Sequence, residues 1–468
     1  MPKTIEEAVK KFTSGELKPS ELVAYYIKNI ENHRSLNAVL EVFEDALDAA
    51  KASDNNYTNK TPRNLEGIPF LVKDCILVSG HTASAGSQML KNYVAPYDAT
   101  VVKLIKEEGG IILGRTNMDE FALGGSGENS AYGKTLNPIN NERVPGGSSS
   151  GSAAALAADL CLVALGTDTG GSVRQPASFC GLYGFKPSYG AISRSGLIAA
   201  ASSLEGIGIF ANSIDDVERV YSVVSKYDEL DNTSIPTKNR EDFQGTTFKK
   251  KVCYPKSYIE SEGINEEVKR SFYNSLERLK SLGYEVKEVE VETLKYALSM
   301  YYIINTAEVS TNLSRMDGLR FGGGEIDSAK SYQELFSKTR GKYFGQEVKR
   351  RIMIGSYVLS HGYYDAFYGK SKLLQTIMKQ EFQEIFSESS IFLMPTAPTT
   401  AFKSGEIKDP LTLYLEDIFT VPANLLSVPA VSIPTGADSN GLPLSIQAMA
   451  SLGCEAHLFN FAKDFVVI

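Results

Sequence analysis

Hydrophobic positions along the chain switch repeatedly between a helical and a strand period. Thr4 to Glu7 has capping-box spacing ahead of an amphipathic run, and Pro19-Ser20-Glu21 opens a second helix that ends near His33. Gly67-Ile68-Pro69-Phe70-Leu71-Val72-Lys73-Asp74 is a short apolar run of strand type that ends in a lysine. A helix over 98–108 passes through Gly109-Gly110 into a strand over 111–113, and the small-residue run after Gly151 predicts a helix followed by a strand over 160–165. Farther on come a charged helix over 265–282, a strand over 285–291, a helical region over 295–385 and a strand over 391–394. Alternation of this kind without an internal repeat predicts an α/β fold with a central mixed sheet surrounded by helices.

Composition narrows the class. A chain of 468 residues exceeds a typical domain, yet 43% hydrophobic content and no long polar tract suit one domain over 1–468. The polar stretch 228–251 reads as an internal connection. Five cysteines, an odd number without CxxC spacing, imply neither a disulfide framework nor a metal site. No run of about 18 apolar residues occurs, and the first residues show neither a signal-peptide core nor an Arg-rich transit segment. The expectation is a soluble protein of a reducing compartment, with no membrane contact. Its 48 Lys+Arg against 56 Asp+Glu, a net charge of −8, do not suit a chain that alone grips nucleic-acid phosphates.

Two glycine-rich segments carry the candidate chemistry, Pro145-Gly146-Gly147-Ser148-Ser149-Ser150-Gly151-Ser152 and Gly166-Thr167-Asp168-Thr169-Gly170-Gly171-Ser172-Val173-Arg174-Gln175-Pro176. A serine beside glycines suits a nucleophile, because residues without a Cβ let backbone N–H groups converge on a developing oxyanion. A hydroxyl needs a base, and the four histidines, His33, His81, His361 and His457, fall outside these motifs. Lys73 offers another: buried at the end of an apolar strand, its amine would lose its charge and accept a proton. The first segment runs straight into a helix-forming alanine run, which a flexible linker would not do. It also matches a Gly-x-Ser-x-Gly elbow at Ser149, but the preceding 140–145 read as a loop where that elbow needs a strand. Gly127 to Gly133-Lys134-Thr135 resembles a phosphate-binding loop with one residue too many between its glycines.

Together, Lys73 after its Gly-Ile-Pro-Phe strand, Ser148 in Gly-Gly-Ser-Ser and Ser172 in Asp-Thr-Gly-Gly-Ser-Val-Arg-Gln-Pro-Ala resemble the amidase signature family. The resemblance implies a Ser-cisSer-Lys triad, with Ser172 as nucleophile, Ser148 as relay and Lys73 as base. It implies backbone donors at Thr169, Gly170 and Gly171, with Asp168 and Arg174 bracing the loop, where the residues by themselves suit a structural ion pair equally. In the second half, Tyr301-Tyr302-Ile303-Ile304, the stretches over 312–322 and 345–352, Met394-Pro395-Thr396-Ala397-Pro398-Thr399 and Asp409-Pro410-Leu411 resemble one branch, the A subunits of glutamyl-tRNA(Gln) amidotransferases. That branch implies glutamine as substrate, with Arg351 or its neighbour Arg350 for the α-carboxylate, Asp417 for the ammonium and Tyr302 as a further polar contact. It also implies no cofactor in this chain. ATP and Mg would be used by a partner B subunit that amidates Glu-tRNA(Gln), and a small third subunit would complete a heterotrimer. A free-standing amidase acting on small or fatty amides, or a scaffold that keeps the fold without catalysis, are the other readings. Ser150 stands where the branch usually has glycine, the segment over 207–212 replaces a more familiar Gly-Pro-Leu-Thr-Arg, and the tail after Gln447 drifts. These departures hint at an organellar member, a fungal-type subunit of the mitochondrial matrix, with a bacterial cytoplasm left open.

Overall fold

The computed structural model describes residues 1–236 and 247–465. One sheet of eleven strands runs through it: β1 (Val39–Val42), β2 (Pro69–Lys73), β3 (Ile111–Thr116), β4 (Val163–Asp168), β5 (Tyr183–Lys186), β6 (Gly206–Ala211), β7 (Lys251–Tyr254), β8 (Glu285–Glu288), β9 (Ile391–Pro395), β10 (Ala430–Ala437) and β11 (Pro443–Met449). Their order is β1-β3-β2-β4-β6-β5-β10-β11-β9-β7-β8. Pairing is parallel in the β3-β2-β4 group and in the β9-β7-β8 group and antiparallel elsewhere, so the sheet is mixed, as the alternating pattern predicts. Every residue of β2, β3 and β4 is buried, because helices cover both faces of a parallel group and leave no solvent side for alternation.

Local signals and observed elements agree closely. The first helix is Ile5–Ser14, where the Thr4 hydroxyl accepts the Glu7 N–H at 3.2 Å, and the second is Pro19–Asn32. The expected helix over 98–108 is Thr100–Glu107, and the charged helix is Glu266–Ser281 with Asn265 as its cap. The strand expected over 160–165 lies at Val163–Asp168 instead. Leu160-Cys161-Leu162 is apolar because it is buried ahead of the strand, while Thr167 and Asp168 extend it because their polar groups find partners inside the protein. The strand expected over 285–291 stops at Glu288. Residues 237–246, the middle of the expected connection, lie outside the described residues.

Five helices position the site: α1 (Ser150–Ala157), α2 (Arg174–Cys180), α3 (Leu294–Asn312), α4 (Gln346–Val358) and α5 (Val421–Leu426). α1 packs on β4 and α2 on β5, while α3 packs against both α4 and α5. Among the described residues no helix is long and apolar enough to cross a membrane.

Candidate active site

β2 and β4 run parallel, with Val72 opposite Leu165, which brings Lys73 at the end of one beside Thr167 near the end of the other. The Lys73 side chain is fully buried, and its Nζ lies 2.8 Å from Ser148 Oγ, 2.9 Å from Ser149 Oγ and 2.7 Å from Thr167 Oγ1. Three neutral hydroxyls surround the amine, and among the described residues it forms no ion pair. Burial pulls its pKa down to about 8, against weaker upward pulls from Cys75, Asp119, Asp168 and Glu205.

Proton counting assigns directions within this cluster. Ser149 donates its hydroxyl proton to the Thr167 carbonyl at 3.1 Å, so toward Lys73 it can only accept. Ser148 has no such competing partner among the described residues, so its O–H is free to donate to the lone pair of a neutral Lys73. The Gly147–Ser148 peptide bond is cis.

Ser172 sits on the turn between β4 and α2, slightly exposed, and its carbonyl accepts the Ser149 N–H at 3.3 Å. Asp168 organises that turn: its carboxylate accepts the N–H groups of Gly171 at 2.9 Å and Val173 at 3.2 Å, and pairs with Arg174 through Nε at 3.0 Å and Nη2 at 2.8 Å. Arg174 then reaches Gln447, Asn424 and the Thr420 carbonyl, so both charges are buried and fully bonded. Burial alone would raise the Asp168 pKa, but Arg174, Lys186 and Asn424 outweigh it and hold the carboxyl well below the usual range. Asp168 and Arg174 are thus an ion pair that braces the loop. Of the three N–H groups singled out in the sequence, that of Gly171 is taken by Asp168, leaving those of Thr169 and Gly170.

Glycine is required at both 170 and 171. A Cβ on Gly170 would lie 2.3 Å from the Tyr301 ring, and one on Gly171, whose φ is 130°, would lie 2.3 Å from Thr420 Oγ1. The turn is therefore pressed against a second cluster, built from α3, α4 and the segment ahead of α5. There Tyr302 donates to Asp417 Oδ2 at 2.7 Å, and the Arg351 guanidinium lies over the rings of Tyr302 and Tyr414 at 5.1 and 5.2 Å. Arg351 also donates from Nε to Glu347 at 2.8 Å and from Nη1 to Asn305 at 3.0 Å. Arg350 points outward, its side chain 40% exposed, so Arg351 is the inward arginine of the pair. Thr420 ties the two clusters, its N–H donating to the Asp417 carbonyl at 3.1 Å and its hydroxyl to the Gly170 carbonyl at 2.5 Å. Burial pushes Asp417 up to about 6, although Tyr302 and Arg351 pull it down.

The structure thus brings together Lys73 and Ser148 directly, seats Ser172 against Ser149, and gathers Tyr302, Arg351 and Asp417 on the far side of the glycine turn. Sequence reasoning missed Ser149 and Thr167 as partners of Lys73, and Asn305, Glu347, Tyr414 and Thr420 around the second cluster. Of these only Glu347 left a signal, its spacing of four residues from Arg351 on a helix. Among the described residues no group of His, Cys, Asp or Glu could hold a metal ion.

The family model described as Amidase matches residues 21–459. The A subunit of a glutamyl-tRNA(Gln) amidotransferase from Halothermothrix orenii is 45% identical over 453 residues, covering 95% of this chain and 93% of that protein. Its counterpart from Macrococcus caseolyticus is 44% identical over 470 residues, covering 99% and 96%. The crystal structure of the A subunit of the Thermotoga maritima glutamyl-tRNA(Gln) amidotransferase matches with a TM-score of 0.80 at 38% identity, covering 98% of this chain and 93% of that one.

Proposed function

The chain belongs to the amidase family, and from that premise we propose that it is the glutaminase subunit of a tRNA-dependent amidotransferase, releasing ammonia from glutamine for the conversion of Glu-tRNA(Gln) to Gln-tRNA(Gln). The observation that carries this reading is a buried guanidinium and a half-buried carboxylate, Arg351 and Asp417, joined through Tyr302 behind the Gly170-Gly171 turn. A free amino acid needs both charges for its carboxylate and ammonium, whereas a fatty amide needs neither.

In this reading Ser172 Oγ attacks the γ-carboxamide carbon, and its proton passes through Ser148 to the Lys73 amine. The N–H groups of Thr169 and Gly170 stabilise the oxyanion. As the tetrahedral intermediate collapses, the leaving nitrogen takes a proton back through Ser148 and departs as ammonia, leaving a γ-glutamyl ester on Ser172. Water, deprotonated along the same route, then attacks that ester to give glutamate and restore the hydroxyl. This chain needs no cofactor for those steps. ATP and Mg belong to the amidation of the tRNA-bound glutamate on a partner B subunit, with a small third subunit in the complex. The net charge of −8 supports leaving the tRNA to a partner. Of the two settings proposed, mitochondrial matrix and bacterial cytoplasm, the bacterial relatives support the second.

The test is ammonia release from glutamine by the chain alone and with a B subunit, with and without Glu-tRNA(Gln) and ATP. Release that depends on the partner is the expected result. Turnover of simple amides by the isolated chain, with no use of glutamine in any mixture, would favour a free-standing amidase.

A further inference from the structure

Glu120 belongs to neither cluster, yet it is 3% exposed and lies between them. It opens a short turn, Glu120–Ala122, in which Phe121 and Ala122 hold positive φ values of 50° and 60°, a sparsely populated region for residues with side chains. Such a turn persists only where its surroundings fix it, and here both neighbours of the turn do so. On one side, the Asp119 N–H donates to the Ser148 carbonyl at 3.1 Å, and the Asp119 carboxylate accepts the N–H groups of Gly127 and Asn129 at 3.0 and 2.8 Å. On the other, Glu120 Oε2 accepts the N–H of Gly345 at 2.7 Å, while Oε1 bonds the Ser87 hydroxyl. The Phe121 ring meets Phe344 edge-on at 5.8 Å.

Gly345 is the residue that caps α4, the helix of Glu347 and Arg351. A Cβ there would stand 2.4 Å from Glu120 Oε2, so a side chain at 345 would have to displace the Glu120 carboxyl group. Consecutive residues therefore hold the two halves of the site, Asp119 the loop of Ser148 and Glu120 the helix of Arg351. Arg351 lies only six residues into α4, about 9 Å along its axis, so displacement of the helix start carries directly to the guanidinium. We propose that Glu120 is a positioning residue for substrate recognition: by anchoring the start of α4 it sets where Arg351 meets the substrate carboxylate, while acyl transfer proceeds without it. This rests on the glutaminase reading above.

The experiment compares the full chain, assembled with a B subunit, with its Glu120→Ala and Glu120→Gln variants on two substrates, glutamine and butanamide, which lacks both α-substituents. Glu120→Ala is expected to raise KM for glutamine about tenfold with kcat, and kcat/KM for butanamide, within about twofold of the parent. Glu120→Gln, whose amide oxygen can still accept the Gly345 N–H, is expected to restore most of the loss. An equal fall on both substrates, or an unchanged KM for glutamine, would overturn the proposal. Backbone hydrogen exchange over 345–351 reads the anchor without any substrate: faster exchange in Glu120→Ala supports it, and unchanged exchange overturns it. A parent chain that turns over butanamide but not glutamine, even with the B subunit, Glu-tRNA(Gln) and ATP present, would instead sink the glutaminase reading, and the exchange result would still judge the anchor.

Discussion

Lys73 and Arg351 are both buried cations, and their surroundings drive them in opposite directions. Burial disfavours the charge on each. Around Lys73 stand three hydroxyls, which solvate the amine without a countercharge, and its pKa falls to about 8. Around Arg351 burial is outweighed by Tyr302, Glu347 and Tyr414, which hold its pKa well above the ordinary value. The company of a buried cation decides its use: hydroxyls give a group that exchanges protons near neutrality, whereas a carboxylate and aromatic faces give a permanent charge that reads another charge. Chemistry and recognition are thereby separated on the two sides of one glycine turn.

The comparison breaks most sharply at the hydroxyls. Ser172→Ala, or loss of the amine in Lys73→Met, is expected to lower kcat on glutamine and on a neutral amide alike, by about 10⁴-fold or more, with the fold kept as judged by circular dichroism. Near-normal ammonia release by Ser172→Ala would remove the nucleophile from its role. On the recognition side, Arg351→Met is expected to raise KM for glutamine by about 30- to 5000-fold, the range for removing one partner of a buried charge pair, and Asp417→Asn by about 10- to 100-fold. Steady-state kinetics on both substrates checks the separation, since butanamide turnover should change little in either variant.

A smaller effect comes from pH. Lys73 acts as a base only when neutral, so kcat is expected to rise as pH passes about 8. Asp417 binds an ammonium only when ionised, so KM for glutamine should climb as pH falls through about 6. A pH series on the parent chain with its B subunit should resolve these two acid limbs, and Asp417→Asn should erase the lower one alone. In stability the sign for Lys73 follows from its lowered value. Between about 8 and the ordinary 10.5 the unfolded chain binds the extra proton, so this residue contributes stability that increases with pH across that window.

How much of this is legible in the sequence follows the same division. Lys73 and Ser172 lie in segments whose apolar run and glycines announce them, the lysine base follows from the absence of histidine in those segments, and Ser148 is singled out from its run of three serines by the family resemblance. The strand carrying Asp168 reads three residues early, because hydrophobicity marks burial and not pairing, and a buried threonine and aspartate at its end look like loop. Ser149 and Thr167 are invisible as partners, since a hydroxyl in a run of small residues gives no hint of where its proton goes. Tyr302, Arg351 and Asp417 come from three distant segments and are reached through family resemblance alone. Periodicity locates their helical region but not which face turns inward, and Arg350 and Arg351 become separable only with α4 packed on α3. Glu120 leaves no trace, because its contact to Gly345 spans 225 positions of sequence.

Gly170 and Gly171 have a bearing on how such a molecule can change over generations. The Tyr301 ring and the Thr420 hydroxyl already fill the space a methyl group would take at either position. A lineage adopting a different amide is thus free to rebuild the helices around the pocket, but only by variations that keep these neighbours against a bare backbone. Gly206 on β6, which no atom approaches within 4 Å of its missing Cβ, is under no such constraint. Drift should accumulate at the one and stall at the other two.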